Sequence, residues 1–296
     1  MPELPDVQLY VEALRAHVVG HELAGIRLSS PFVLRSVEPA LSEVVGRRIT
    51  GVERLGKRIV LAFEGELYLV IHLMIAGRLR WRAPGGKAPG KLGLATFSFD
   101  HGVLILTEAG TKRRASLHLV KGAEVLARMD RGGLEIMGSS VADFAQRLRS
   151  ENHTIKRSLT DPRLFSGIGN AYSDEILHRA RLSPMLLTSR MTDAQIATLH
   201  GATVAVMSEW IERLRGEASG GFPEKVTAFR PEMAVHGKFR QPCPVCGAPV
   251  QRIRYADNET NYCAKCQTEG RVLADRALSR LLKEDFPRTL VEMGDD

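Results

Sequence analysis

Cys243-Pro-Val-Cys246 and Cys263-Ala-Lys-Cys266 are two pairs of cysteines, and sixteen residues separate the pairs. Each pair turns the chain so that two thiolates face one ion, and the doubled spacing is typical of a tetrahedral structural zinc site. Four sulfur ligands leave no coordination position for water, so we expect one structural Zn²⁺ that organises the chain and performs no chemistry. Four buried or redox-active cysteines are the competing interpretation.

The sequence around the cysteines is rich in positive charge. Five lysines and arginines lie there, namely Lys238, Arg240, Arg252, Arg254 and Lys265. Such a density of donors suits contact with phosphate groups, whereas a merely solvated basic face is the alternative. A segment this short has no core of its own, so we expect metal binding to supply the free energy of its folding.

Upstream of the cysteines the sequence is helical from about residue 133 to 217. The periodic segments cover 141–149, 154–159, 171–180 and 193–215. Gly167-Ile-Gly-Asn170 places a glycine-bounded turn directly before one of these helices. Such a turn presents free backbone N–H groups and the positive end of a helix dipole, so Asn170 and Lys156 are candidates to hold one phosphate. Taken alone, these glycines are more often a plain turn between two helices.

The N-terminal half predicts one amphipathic helix followed by an antiparallel β-sandwich or barrel. Apolar residues recur at helical spacing over 5–19. Short apolar runs divided by turns follow at 49–52, 58–63, 67–75, 92–99, 103–107 and 116–120. We therefore expect an α+β protein with three domains, which would cover 1–132, 133–236 and 237–296.

Composition and charge limit the class of protein. The chain has 296 residues, of which 44% are hydrophobic and 25% charged, so it is long enough for two domains and a small third, and wholesale disorder is excluded. The net charge of +7 favours a polyanionic partner, although an ordinary basic surface carries the same charge. We expect no membrane span and no signal peptide, and hence a reducing cytoplasm.

Three separate parts of the sequence together resemble one family. They are Met1-Pro2-Glu3-Leu4-Pro5-Asp6-Val7, Lys156 with Gly167-Ile-Gly-Asn170-Ala-Tyr172, and the cysteine segment 242–267. Over nearly the whole chain they resemble the formamidopyrimidine-DNA glycosylase and endonuclease VIII family of base-excision repair enzymes. The resemblance implies an N-terminal β-sandwich with a helix, a helix-two-turn-helix domain and a zinc finger. It also implies a monomer that binds damaged DNA, double- or single-stranded, in the cytoplasm, and at the nucleoid if the source is bacterial.

The resemblance gives the chain terminus a chemical role. Once the initiator methionine is removed, Pro2 would be the nucleophile, with Glu3 as the acid/base beside it. A secondary amine that attacks C1′ of the sugar becomes an iminium without losing a second proton, so it can expel the base and prepare strand cleavage by β/δ-elimination. The start of the first helix should lower the pKa of this amine, because the helix dipole disfavours the cation. The other matched positions are Lys57 near the phosphate or deoxyribose, the phosphate clamp Lys156 and Asn170, and Glu175 near the sugar.

The sequence departs from the family pattern in the zinc finger. Asn258 stands where the family usually has an arginine, five residues before the third cysteine. An amide cannot replace the charge of a guanidinium, although Arg252 or Arg254 could substitute from the facing strand. Residues 268–296 extend beyond the usual finger, and their apolar residues favour a packing helix over 272–282, while a site for a partner, alone or combined with packing, is the alternative.

Further departures lie in the parts that would enter the duplex. Ile75, or Met74 with a shift of one residue, is the expected apolar wedge that fills the gap left by an everted nucleotide. In the next loop Arg113 is the expected base-facing arginine, while Ala115 stands in place of an aromatic plug. The loop 220–237 is shorter than the one that caps oxidised purines in the family, which points away from 8-oxoguanine.

Two functions of different classes fit these features. The first is a bifunctional DNA glycosylase and AP lyase, whose substrate would be an oxidised pyrimidine, a ring-opened base, an abasic site or a bulky adduct. The second is a lesion-binding protein that kept the DNA clamp and lost turnover, because Asn258 and Ala115 weaken engagement. Pro2, Glu3 and Lys57 all stand where the chemistry needs them, which favours the enzyme.

Overall fold

A computed structural model describes residues 1–110, 112–224, 226–227, 229–255, 258–273 and 288–293. Its α-helices are α1 (Leu4–Val18), α2 (Ala123–Ala127), α3 (Val141–Arg149), α4 (Ile155–Thr160), α5 (Asn170–Arg179), α6 (Asp193–Ala218) and α7 (Ala264–Thr268). Its strands are β1 (Gly25–Leu28), β2 (Ile49–Leu55), β3 (Arg58–Phe63), β4 (Leu67–His72), β5 (Gly77–Arg82), β6 (Gly93–Ser98), β7 (Val103–Glu108), β8 (Ser116–Lys121), β9 (Val250–Tyr255) and β10 (Asn258–Cys263). The α+β class expected from the sequence is confirmed.

The chain divides into two compact units. The first comprises Met1–Arg131 with Trp210–Ala228, and the second comprises Gly132–Glu209 with Phe229–Asp296. Helix α6 therefore contributes residues to both units. The division into three domains at 132/133 and 236/237 stays a prediction.

The first unit is built from two four-stranded antiparallel sheets and α1. The strand orders are β1-β6-β7-β5 and β2-β3-β4-β8. Apolar side chains of both sheets form one continuous core with the buried face of α1, including Val7, Tyr10 and Leu14. A sheet with one apolar face must bury it, and here each sheet does so against the same core.

The run 67–75, predicted as one strand, contains β4 and then part of a turn. Strand β4 ends at His72, a tight turn follows, and β5 begins at Gly77. Strand β5 was not predicted, because its sequence Gly-Arg-Leu-Arg-Trp-Arg alternates arginines with apolar residues and contains no apolar run. That alternation has the period of a half-buried strand, so the pattern was present in the sequence.

The second unit contains α3 to α5, the N-terminal part of α6, and the finger. Helix α3 has the predicted bounds, and α4 and α5 begin and end within one residue of theirs. Strands β9 and β10 pair as an antiparallel hairpin, with Cys263 opposite Val250. The predicted helix 272–282 lies outside the described residues from 274 onward. Val272 and Leu273 pack against a small apolar cluster of the finger that includes Tyr262 and Leu290.

Among the described residues, no helix has both the length and the apolar character needed to cross a bilayer.

Candidate functional site

The start of α1 holds the chain terminus in a buried position. Pro2 and Glu3 are both buried, and Pro5 occupies the first turn of the helix. The carboxylate of Asp6 accepts a hydrogen bond from the backbone N–H of Glu3 at 3.0 Å. This bond satisfies the backbone N–H of Glu3, which would otherwise lack a partner in the first turn. It therefore fixes the backbone of Pro2 and Glu3 relative to the helix.

The electrostatic surroundings of the terminal amine favour its neutral form. In this structure the amine belongs to Met1, and burial lowers its pKa below the ordinary value of 8.0. The carboxylates of Glu3 and Asp6 oppose this change, while the positive charges of Arg78 and Lys57 add to the lowering of the pKa. Only the neutral amine has a lone pair for attack, so this environment suits a nucleophile.

Lys57 lies in the two-residue turn between β2 and β3. Gly56 has φ +62°, a left-handed conformation that favours glycine, and its carbonyl accepts a hydrogen bond from Arg54 Nη1 at 2.8 Å.

His72 lies near this turn, at the end of β4. In the pairing of β3 with β4 it lies directly opposite Arg58. Burial lowers the pKa of His72 to about 4, and the charges of Arg58 and Lys57 contribute, so its imidazole is neutral at neutral pH.

The turn between β4 and β5 exposes Ile75. The backbone N–H of Gly77 donates to the carbonyl of Leu73 at 2.8 Å and closes the turn. A Cβ atom at Gly77 would lie 2.2 Å from that same oxygen, so only glycine fits. Met74 has φ +51° and is half-buried, whereas Ile75 is 57% exposed. Of the two expected wedge residues, the structure exposes Ile75 to solvent and leaves Met74 partly covered.

Arg78 supports this turn from the first position after it. Its guanidinium donates to the carbonyl of Gly77 at 2.7 Å and to that of Ile75 at 3.3 Å. It also donates to the carbonyl of Val226, which packs in the core of the first unit. One arginine therefore connects the wedge turn, the segment after α6 and the electrostatic environment of the amine.

A buried carboxylate holds the loop that follows β7. Glu108 is 2% exposed, and both of its oxygens accept from the backbone N–H of Arg114, at 2.9 and 3.1 Å. One of them also accepts from the N–H of Ala115 at 3.0 Å. Ala115 itself packs in the apolar core, while Arg113 is exposed and donates to the carbonyl of Lys91. The role of Glu108 in holding this loop was not predicted, because no local pattern in the sequence distinguishes it from other carboxylates at strand ends.

Lys156 and Asn170 are in contact in the second unit, and their role as a phosphate clamp stays a prediction. Lys156 Nζ donates to the carbonyl of Asn170 at 2.7 Å and to a carboxylate oxygen of Asp174 at 2.5 Å. The other oxygen of Asp174 lies 2.7 Å from His236 Nδ1. Asp174 is fully buried and Lys156 nearly so, which makes the pair part of a buried charged network. The Asn170 amide donates to the carbonyl of Glu259 in the finger hairpin at 2.8 Å.

Glu175 lies beneath the backbone of the segment that leads to the finger. Its carboxylate accepts from three successive N–H groups, those of Ala234, Val235 and His236, at 2.7 to 2.9 Å. Burial raises the pKa of Glu175, and the three hydrogen bonds oppose that change. In this structure the carboxylate fixes the path of residues 234–236, and its assignment near a sugar stays a prediction.

The four cysteines converge as the sequence predicted. Their Sγ atoms all lie within 4.8 Å of one another, and Cys263 Sγ accepts from the backbone N–H of Cys266 at 3.4 Å. Four thiols this close match the ligand set of one structural Zn²⁺, which also accounts for a finger whose apolar clusters are small. Near the site, His178 Nε2 lies 3.3 Å from Cys243 Sγ.

The basic residues of the finger differ in their surroundings. The guanidinium of Arg252 stacks on the ring of Phe239 at 4.0 Å, whereas the Arg254 side chain is 64% exposed. Asn258 is exposed at the start of β10, and the neighbouring Glu259 lies opposite Arg254. Arg254 is thus the better placed of the two arginines to reach a partner from the strand facing Asn258.

Comparisons with known proteins point to one family in each successive part of the chain. Family models match in succession: the formamidopyrimidine-DNA glycosylase N-terminal domain at residues 1–117, the formamidopyrimidine-DNA glycosylase H2TH domain at 137–219, and the zinc finger found in FPG and IleRS at 240–268.

Individual relatives agree with the family models. Formamidopyrimidine-DNA glycosylase of Thermus thermophilus is 34% identical over 279 residues, which are 91% of this chain and 100% of that protein. An uncharacterized formamidopyrimidine-DNA glycosylase-like protein of Mycobacterium tuberculosis is 41% identical over 152 residues, 51% of this chain and 94% of the relative. Among solved structures, the complex of Lactococcus lactis Fpg with DNA containing an abasic site matches with a TM-score of 0.79 and 26% identity, over 90% of this chain and 99% of the other.

Proposed function

This chain belongs to the formamidopyrimidine-DNA glycosylase family, and on that premise we propose that it excises a damaged base through a Schiff base on Pro2 and then cleaves the strand. The DNA glycosylase and AP lyase activity follows from the family. The residues that perform the steps are our assignment. The observation that carries it is the buried terminus at the start of α1, where the pKa of the amine is lowered.

The first step joins Pro2 to the sugar. After removal of Met1, the secondary amine of Pro2 attacks C1′, and the damaged base leaves with the bonding electron pair and takes up the proton that the amine releases. The bond from C1′ to the ring oxygen then breaks, and the ring oxygen takes a proton as the sugar opens. Glu3 is the acid that supplies this proton. The product is an iminium, whose positive nitrogen makes the hydrogen on C2′ acidic.

The second step breaks the strand. A base removes the C2′ proton, the electron pair forms a double bond, and the 3′ phosphate leaves in β-elimination. Repetition at the next position releases the 5′ phosphate in δ-elimination. The conjugate base of Glu3 accepts the C2′ proton, and Lys57 interacts with a phosphate beside the site.

The second unit holds the DNA backbone in this proposal. The positive end of the α5 helix dipole, together with Lys156 and Asn170, binds a phosphate, and Arg254 from the finger contacts another. Such contacts position the duplex and carry no sequence information. Ile75 fills the space of the everted nucleotide, and Arg113 faces the unpaired base.

We propose an abasic site or a small oxidised or ring-opened base as substrate. Phe222 packs against Tyr10 with ring centroids 6.0 Å apart, and Glu224 pairs with Arg82, so this part of the loop after α6 lies on the first unit. Since the loop is short and held there, it offers little chain to cover a bulky purine. Acting on chromosomal DNA, the enzyme would work at the nucleoid of a bacterial cell.

Borohydride trapping with an abasic oligonucleotide tests the proposal. We expect a covalent adduct with the wild-type protein and none with Pro2→Gly, because only reduction of the Pro2 iminium leaves the protein and the DNA covalently joined. Pro5→Ala, in the same first helical turn, is the matched control and should still be trapped. Intact mass shows whether Met1 has been removed.

A negative result has a defined meaning. If protein shown to lack Met1 binds abasic DNA and gives no adduct, the Schiff-base assignment is wrong, and the chain is the lesion-binding protein considered as the alternative. An adduct that persists in Pro2→Gly would come from another amine, either the terminal amine of the new glycine or that of Lys57, and peptide mapping of the adduct distinguishes the two.

A further inference from the structure

A second group of metal-binding side chains lies in the first unit, far along the sequence from the cysteines. His21 follows α1, and Asp100 and His101 form the turn between β6 and β7. Their ligand atoms all lie within 4.8 Å of one another. Asp100 Oδ1 is 2.5 Å from His101 Nδ1 and 3.6 Å from His21 Nδ1. Two imidazoles and one carboxylate therefore converge on a single point.

The hydrogen bonds of His101 determine which of its two ring nitrogens has a lone pair available to bind a metal ion. Its Nε2 lies 2.7 Å from the backbone carbonyl of His17, and a carbonyl only accepts, so Nε2 carries a proton. In the neutral ring Nδ1 is then an acceptor, and it faces a carboxylate oxygen that is also an acceptor. A proton on Nδ1 satisfies both atoms, and a metal ion that binds both atoms would take the place of that proton.

His21 is the third group that a metal ion would bind and a proton would not. A proton joins His101 to Asp100 and leaves His21 Nδ1 at 3.6 Å, beyond hydrogen-bond distance. A metal ion with bonds of about 2.0–2.2 Å to nitrogen and oxygen can use all three groups after small side-chain adjustments. The bond from His101 to the His17 carbonyl is also the outer contact that metal-bound histidines usually make, and it orients the ring.

The three groups are open to solvent from one side. The side chains of His21, Asp100 and His101 are 41%, 79% and 35% exposed, so an ion can enter without unfolding of the core. The rings of His21 and His101 lie 3.9 Å apart, centroid to centroid, with their planes tilted by 36°.

We propose that His21, Asp100 and His101 form a surface site for one divalent transition-metal ion, such as Ni²⁺ or Zn²⁺. Two imidazoles and one carboxylate suit this class of ion, and they differ from the all-sulfur finger in leaving coordination positions for water. A bound ion joins the end of α1 to the β6–β7 turn. The site is independent of the proposed DNA chemistry, so either can fail without the other.

Tryptophan fluorescence provides a direct test. The ring centroid of Trp81 lies 5.4 Å from that of His101, within range for quenching by paramagnetic Ni²⁺. The chain has two tryptophans, so Trp210→Phe leaves Trp81 as the only reporter. We expect Ni²⁺ added to this zinc-loaded, untagged protein to quench Trp81 and to saturate at one equivalent. His21→Ala and His101→Ala should each weaken the binding by at least about tenfold.

The chain offers a matched control for a simple histidine–carboxylate pair. His153 lies 2.8 Å from Glu151, with no third ligand grouped with them among the described residues. His153→Ala should leave the Ni²⁺ titration unchanged, and zinc analysis before and after verifies that the finger keeps its ion. Absence of quenching, or quenching that is the same in His21→Ala, His101→Ala and their parent, overturns the proposal.

Discussion

At the scale of single residues, Arg78 connects features that lie far apart in the sequence. Its guanidinium donates to carbonyls of the wedge turn, and its charge disfavours protonation of the terminal amine. Burial is the larger cause of the lowered pKa, and Arg78 and Lys57 act in the same direction. A protonated amine cannot attack a carbon atom, so the pH dependence of trapping reports on this environment.

We expect the trapping rate to rise with pH and then to level off, because the burial and the nearby positive charges that lower the pKa of the Met1 amine also disfavour the cation of the Pro2 amine. Arg78→Gln removes a positive charge that disfavours the cation, so the pKa of the amine should rise and the whole profile should move to higher pH. Rates of adduct formation with abasic DNA, measured across the neutral range, check this.

Arg82→Gln is the control for that shift. Arg82 lies on the same strand, β5, four residues after Arg78 and therefore on the same side of the strand. Its charge is paired with Glu224. Its profile should match that of the wild type. A profile for Arg78→Gln that also coincides with the wild type would show that this guanidinium does not influence the amine.

At the scale of elements, two turns carry the residues proposed to enter DNA, and hydrogen bonds at the base of each turn fix its conformation. The β4–β5 turn is closed by Gly77 and exposes Ile75. The loop after β7 is fastened at its end by Glu108, which accepts from the N–H groups of Arg114 and Ala115. A loop fixed at its base loses less conformational entropy when its tip engages a ligand.

Glu108→Gln should impair action on duplex DNA specifically. Glutamine keeps one accepting oxygen, but its NH₂ group faces N–H donors, so at least one bond to a charged acceptor is lost, at a cost of about 1.5–3 kcal/mol. If that cost falls on the loop, kcat/KM on an abasic duplex should drop by roughly tenfold or more. An abasic single strand has no opposite base to separate, so its cleavage should change little.

The comparison of the two substrates distinguishes loop positioning from loss of folding. Glu53→Gln, at an exposed position on β2, is the control and should leave both rates unchanged. Equal losses on duplex and single strand for Glu108→Gln would mean that the carboxylate stabilises the unit as a whole and does not act through the loop.

At the scale of the whole molecule, the zinc finger is integrated with the helical part of the second unit. The Asn170 side chain donates to the Glu259 carbonyl, and Gln267 donates to the carbonyl of Leu182 at 2.9 Å. Through these contacts a change in the finger reaches the start of α5, where the phosphate clamp is proposed. The first unit has its own continuous core and does not share these contacts.

Removal of zinc should therefore abolish DNA binding and leave the first unit folded. Chelation removes the ion that folds the finger, and the amides of β9 and β10 should lose their protection from hydrogen exchange. Amides of the β7 core strand should keep theirs. Hydrogen exchange measured by mass spectrometry, alongside binding of an abasic duplex, checks both parts. Unchanged DNA affinity of protein verified to be free of zinc would contradict a role for the finger in binding.

Local sequence patterns determined much of this protein. Cysteine spacing indicated the zinc finger, helical periodicity located α1 and α3 to α6, and the motifs at the terminus and at Gly167–Asn170 identified the family, because each depends on residues close together in the chain. Tertiary structure alone decided which of Met74 and Ile75 is exposed. It also decided that Glu108 holds a loop and that Glu175 holds a backbone segment. Finally, it brought His21 close to Asp100 and His101. The reason is physical: these contacts join residues distant in sequence, and the hydrogen-bonding and exposure of a side chain depend on what the fold packs around it.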